Sequence, residues 1–188
     1  MPNTRFRWPL LLLVLLLAAS PVLRGHDEAP AGVTTVVIVR HAEKAQDDPK
    51  DPTLSPAGQA RAEALASALD AAGVGAIYST QYKRNVQTAE PLAKRLGLQV
   101  VQKPIAGEAA SYAKELAREV LAREKGKTVL VVGHSNTVPD LVQAFSGSTV
   151  APLSDADYDR IFIVVVPPSG PPRLFKTLYG SLKEASPR

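Results

Sequence analysis

The chain contains no cysteine. Disulfides, thiolate nucleophiles, iron–sulfur clusters and zinc–thiolate sites are therefore excluded. Such a composition suits a reducing or an oxidising compartment alike. Aromatic residues make up only 5% of the sequence, so the interior must be filled mainly by Ala, Val and Leu. An excess of charge of one sign is also missing. Basic residues number 22 and acidic residues 18, for a net charge of +4, which falls to +2 without Arg5 and Arg7 of an N-terminal leader. That balance gives no electrostatic footprint for nucleic acid. Long apolar runs are scarce too: residues 10–19 form an uninterrupted one, half of the ~20 residues a spanning helix needs. Histidine occurs three times, at His26, His41 and His134.

The rest is ordinary for a folded chain. Apolar residues are 45% and charged residues 21% of 188, enough for one domain with a full-sized core. The start is distinctive. "MPNTRFRWP" carries two arginines and no acid, and "LLLLVLLLAAS" follows. A basic stretch, an apolar stretch and small residues together make a secretory signal. Ala18 and Ser20 fit the small-residue rule, but Pro21 would follow that cut, so cleavage after Gly25 and retention as an anchor both stay open. The expected organisation is a signal peptide or N-terminal anchor over 1–25, a linker over 26–32 that carries a solvated His26, a folded domain over 33–180 and a frayed tail over 181–188. It places the protein in the periplasm or outside the cell, tethered to the membrane if the leader is uncleaved.

Residues 33–39 are a nearly continuous β-branched run, as in a central strand buried on both faces. "DDPKDPTLSP" is a loop. Ser55 before Pro56 predicts an N-cap and a proline in the first helical position, opening a helix that Gly73 closes. Further strands are predicted at 74–80, 98–102, 127–133, 160–168 and 173–180, and helices at 84–96, 112–124 and 136–145. Pro91 predicts a kink or break in the second helix. Strands alternating with helices imply an α/β fold, a three-layer α/β/α domain with a mostly parallel central sheet. Such sheets bind ligands beyond the carboxyl ends of their strands. Arg40 and His41 lie at the end of the first strand, His134 at the end of "TVLVVG", and Arg84 four residues past "AIYST". Parallel strands would bring two histidines and two arginines to one crevice.

That set suits phosphoryl chemistry. Guanidinium forks match phosphate oxygens and keep their charge near neutrality. A neutral imidazole can attack phosphorus, and a second, cationic one can stabilise the transition state. A carboxylic acid is then needed to protonate the leaving oxygen and later to activate water.

"VRHAEK" at 39–44, "DPTLSPAGQARAEALA" at 51–66, "STQYKRNVQTAEPLAKRLGL" at 79–98 and "VVGHSNT" at 131–137, in this order, resemble the histidine phosphatase superfamily. The resemblance implies the phosphoglycerate mutase-like fold and a small phosphatase-type member. It implies His41 as the phosphorylated nucleophile, with Arg40, Arg84 and His134 completing the phosphate pocket and Asn136 and Thr137 orienting it. Mutase-like members have glycine where this chain has Ala42, while smaller phosphatase-type members carry alanine. The acid–base residue departs most. Many members place a glutamate on the loop after the third strand, and Glu108 is the candidate here. Another branch has an aspartate after the second histidine, where this chain has Ser135. Glu43 is the rival, read otherwise as a loop carboxylate paired with Lys44 or Arg84.

The expected activity is a metal-independent phosphomonoesterase that needs no cofactor and acts on a small-molecule phosphate ester. A phosphoglycerate mutase-type transferase and a phosphate-binding module without turnover are the alternatives. A metallohydrolase lacks HxH or HExxH spacing. Lys44 and Lys83 are expected to be solvated, and Tyr78, Tyr82 and Tyr112 to pack in the interior.

Overall fold

The computed structural model describes residues 32–180. The expected leader, His26, all but the last residue of the linker, and the tail lie outside that range. The domain carries β1 (Thr34–Arg40), α1 (Pro56–Leu69), β2 (Val74–Ser79), α2 (Lys83–Leu96), β3 (Val100–Gln102), α3 (Ala109–Arg123), β4 (Thr128–Gly133), α4 (Val138–Ser146), β5 (Arg160–Val166) and β6 (Arg173–Leu178). The sheet order is β3-β2-β4-β1-β5-β6. β1 to β4 run parallel, and β5 is antiparallel to both of its neighbours.

Alternation along β1 divides the core in two. Val36 and Ile38 pack with Val129, Val131, Leu116, Val120, Leu141 and Phe145 beneath α3 and α4. Val37 and Val39 pack with Leu130, Val132, Leu65, Leu69 and Leu92 beneath α1 and α2. Two-sided burial explains why β1 and β4 read as unbroken apolar runs. The result is the three-layer α/β/α arrangement with a mostly parallel sheet.

Local chemistry sets most element ends. Ser55 Oγ accepts the Gly58 N–H at 3.1 Å and Pro56 opens α1. Gly97 closes α2 in the left-handed region, φ +66°. The expected break at Pro91 does not occur, and α2 runs through it to Leu96. Thr88 and Ala89 before the proline and Leu92 and Ala93 after it are all buried, so packing on both sides holds the helix against a local cost of about 3 kcal/mol. β3 is shorter than expected because Leu98 still donates its N–H to the Ala93 carbonyl in the helix exit. α3 starts at Ala109, three residues earlier than predicted, and α4 at Val138, two residues later.

Candidate active site

Strand register builds the site. Arg40 of β1 pairs with Gly133 of β4. The next residues, His41 and His134, therefore leave neighbouring parallel strands side by side. The His41 N–H donates to the Gly133 carbonyl at 2.9 Å, and the two imidazole centroids stand 5.3 Å apart at 70°. Gly133 is needed at this junction: a Cβ there would lie 2.9 Å from Thr137 Oγ1 and 3.0 Å from Leu141 Cδ1. On the other side of β4, Ser79 of β2 pairs with Val132, and Thr80 follows.

Arg84, in the first turn of α2, reaches both rings. Its Nε donates to His41 Nε2 at 3.2 Å, and its Nη2 lies 3.4 Å from His134 Nδ1. His41 Nδ1 sits 2.8 Å from the Ala42 carbonyl. A carbonyl only accepts, so Nδ1 carries the hydrogen and Nε2 the lone pair. At His134, Arg84 donates to Nδ1, which leaves Nε2–H to donate to Thr80 Oγ1 at 3.0 Å. Both rings are neutral near pH 7. Burial pulls His41 down to about 4, helped by Arg84, Arg40 and Lys44 and opposed by the Ala42 hydrogen bond. Burial, the neighbouring His41 and the two arginines pull His134 down to about 3.

Arg40 is buried beside them, with its guanidinium 4.1 Å over the Tyr158 ring. Its Nη1 donates to the Ser154 carbonyl at 2.7 Å, and its Nη2 approaches Asp155 at 3.6 Å. Asp51 lies 3.9 Å from Arg84 Nη1 and accepts the Lys83 N–H at 3.0 Å. Arg40 Nε and Arg84 Nη1 are buried without a protein hydrogen-bond partner. Two cations with unspent donors beside a neutral nucleophile can hold and attack an anion.

The structure thus gathers His41, His134, Arg40 and Arg84, as the sequence indicated. Asn136 is exposed in the turn before α4, while Thr137 is buried and accepts the His134 N–H at 2.8 Å. Glu108 is exposed at the N-cap of α3. For Glu43, the expected pairing with Lys44 or Arg84 gives way to Arg61: Nε donates to both carboxylate oxygens at 2.8 and 2.9 Å, and Nη2 lies 2.7 Å from Oε1. Helical spacing turns Arg61 of α1 toward the loop after β1, which adjacency in sequence does not reveal. Lys44 and Lys83 are exposed, with Lys83 3.8 Å from Asp48. Tyr78 and Tyr112 are interior residues as expected, but Tyr82 faces His134, with ring centroids 5.3 Å apart.

Sequence reasoning missed four contributors. Thr80 orients His134. Thr88 Oγ1 accepts the Ala42 N–H at 2.9 Å and donates to the Arg84 carbonyl at 2.7 Å. Ser154 and Tyr158 reach Arg40 from a loop more than a hundred residues away. Thr88 alone had a readable signal, since it lies one helical turn after Arg84. A groove of about 1060 Å³ lies elsewhere, between α1 and α2, and none of the four central residues lines it.

The model of the histidine phosphatase superfamily (branch 1) matches residues 36–110. The chain is 32% identical over 131 residues to an 8-oxo-(d)GTP phosphatase of Mycolicibacterium smegmatis. That match covers 65% of this chain but 40% of the relative, so the chain spans about two fifths of that protein's length. In fold it is similar to the protein histidine phosphatase SixA complexed with tungstate, at 22% identity and a TM-score of 0.59, over 77% of this chain and 96% of that one. It is also similar to Bacillus stearothermophilus YhfR, at 21% identity and a TM-score of 0.57, over 70% and 90% of the two chains. The family match takes in the Arg40–His41 pair at the end of β1 and Arg84 of α2, and His134 follows β4: over residues 36–110 this chain is similar to the histidine phosphatase superfamily.

Proposed function

We propose that this protein is a phosphomonoesterase that needs no metal ion and turns over small-molecule phosphate esters through a phosphohistidine on His41. One observation carries the reading: His41 holds its lone pair on Nε2, toward Arg84, with a second imidazole and a second buried guanidinium beside it. An arriving phosphoryl group would take over the Arg84 donors. His41 Nε2 then attacks phosphorus and the P–O ester bond breaks as the N–P bond forms. The leaving oxygen takes a proton from an acid, for which Glu108 is our candidate, on the loop after β3. Water, deprotonated by the same group, then cleaves the N–P bond and frees phosphate. The two arginines supply the positive charge that the equatorial oxygens need. A bound dianion also offsets their repulsion on His134, favouring an imidazolium whose Nδ1–H faces the phosphoryl group.

The substrate panel follows from the relatives: simple aryl phosphates, a nucleoside triphosphate, as the name of the Mycolicibacterium relative suggests, and a phosphohistidine, as SixA's does. The leader composition supports action outside the cytoplasm, which fractionation of cells expressing the full chain would check.

Residues 32–188 should release phosphate from an aryl phosphate in the presence of EDTA. An acid quench should trap an acid-labile, base-stable phosphoenzyme, and His41→Ala should lose both signals. Retention of turnover by His41→Ala would refute the proposal.

A further inference from the structure

The segment joining α4 to β5 crosses the carboxyl end of the sheet, because β5 runs antiparallel to β1 and so begins where β1 ends. Its turn is built around Asp157. Asp157 Oδ2 accepts the Ser154 N–H and the Ser154 hydroxyl, each at 2.7 Å, and Oδ1 accepts Arg160 Nε at 2.7 Å. This staple aims the Ser154 carbonyl at Arg40 Nη1 and sets the Tyr158 ring against the guanidinium, whose Nη2 lies 3.4 Å from the Tyr158 hydroxyl. The same ring stands 6.2 Å from that of His41. These contacts take up the Nη edge of Arg40 and leave Nε buried and unpartnered. Arg40 acts electrostatically on both histidines, so its charge bears on the space between them.

We propose that Tyr158, held by the Asp157 turn, is a positioning residue for Arg40, fixing the guanidinium so that its free edge meets the phosphoryl group. The inference rests on the phosphatase reading for the identity of the anion, but not on turnover. An arginine has several rotatable bonds and swings freely unless something holds its plane. Here a π face holds it from one side and a carbonyl from its end. A loop that merely covered a buried cation would need no such orientation.

The test uses Tyr158→Phe, Tyr158→Leu and Tyr158→Ala in residues 32–188. Orthophosphate affinity is read by calorimetry, KM and kcat with an aryl phosphate, and folding by thermal midpoint. Tyr158→Phe keeps the ring face and should stay within about threefold of the parent in all three constants. Tyr158→Leu keeps the apolar cover without a π face. It and Tyr158→Ala should weaken orthophosphate binding and raise KM about tenfold, with kcat changed less than threefold. If Tyr158→Ala does not fold, Tyr158→Leu carries the comparison, with Asp157→Asn as a second perturbation of the turn. A folded Tyr158→Leu that binds orthophosphate like the parent overturns the proposal, as does equal weakening by Tyr158→Phe. Phosphate binding without turnover in the parent would fail the phosphatase reading and leave the Tyr158 comparison intact.

Discussion

Lowering the pH from 7 to 5 should destabilise the phosphate-free protein through its two site histidines. In the unfolded chain both titrate near 6.5, whereas in the folded chain His41 is pulled down to about 4 and His134 to about 3, chiefly by burial. As the pH falls, the unfolded chain takes up protons first, so acid favours unfolding. The stability is whole above pH 6.5 and is lost on acidification toward the folded values. Linkage gives about 2 kcal/mol for each histidine between pH 7 and pH 5, and up to about 4 kcal/mol for the pair. Urea unfolding at pH 5, 6 and 7 in phosphate-free buffer measures it, with the double variant His41→Asn/His134→Asn as the reference. The parent should lose that much more stability than the variant over the interval. Orthophosphate should shrink the difference, because a bound dianion favours the protonated form of His134 and raises its folded pKa. Equal pH slopes in the parent and the double variant would show that these rings are not buried neutral as drawn here, and the reading of His41 as a poised nucleophile would go with them.

Two further substitutions probe what holds the nucleophile loop. Thr88→Val strands the buried Ala42 N–H, so it should cost about 1–3 kcal/mol in urea unfolding and lower kcat with an aryl phosphate; unchanged stability would mean that the hydrogen bond contributes nothing. Gly58→Ala places a Cβ 2.1 Å from the Glu43 carbonyl, against backbone that must move. It should therefore destabilise by about 1–3 kcal/mol despite the ~1 kcal/mol that alanine gains over glycine in a helix, and a raised thermal midpoint would contradict the packing.

The parts legible in the sequence are those set by local chemistry. β1 and β4 announce themselves because burial on both faces forces continuous apolar runs, and α1 because Ser55 and Pro56 start it. Arg40, His41, Arg84 and His134 were legible because each sits at or just past a strand end, where a parallel sheet collects its ligand groups. What failed depended on tertiary distance. Pro91 reads as a break because the sequence does not show that buried side chains pin the helix on both sides of it. Glu43 reads as a partner of its neighbours because the angle at which Arg61 leaves α1 is fixed only when α1 packs beside β1. Ser154 and Tyr158 carry no sequence signal at all. They meet Arg40 because β5 pairs antiparallel with β1, a choice of topology that no residue in the loop encodes.

The site's electrostatics explain why so much of the fold is spent on holding it. Arg84 and Arg40 stand close enough to depress both imidazoles, and burial draws the Arg84 pKa down as well. The carboxylates that reach them do so at long range, the half-buried Asp51 at 3.9 Å and the exposed Asp155 at 3.6 Å. Stronger neutralisation would stabilise the empty protein, but it would also give an incoming phosphate a competitor for the same donors. For the phosphatase proposed above, leaving the cations under-compensated would make the empty site unfavourable and the occupied one favourable, which is the preorganisation that phosphoryl transfer requires. The cost is borne by the sheet: β1 and β4, which carry both histidines, are its central strands, buried on both faces, so local opening there is resisted by the whole core.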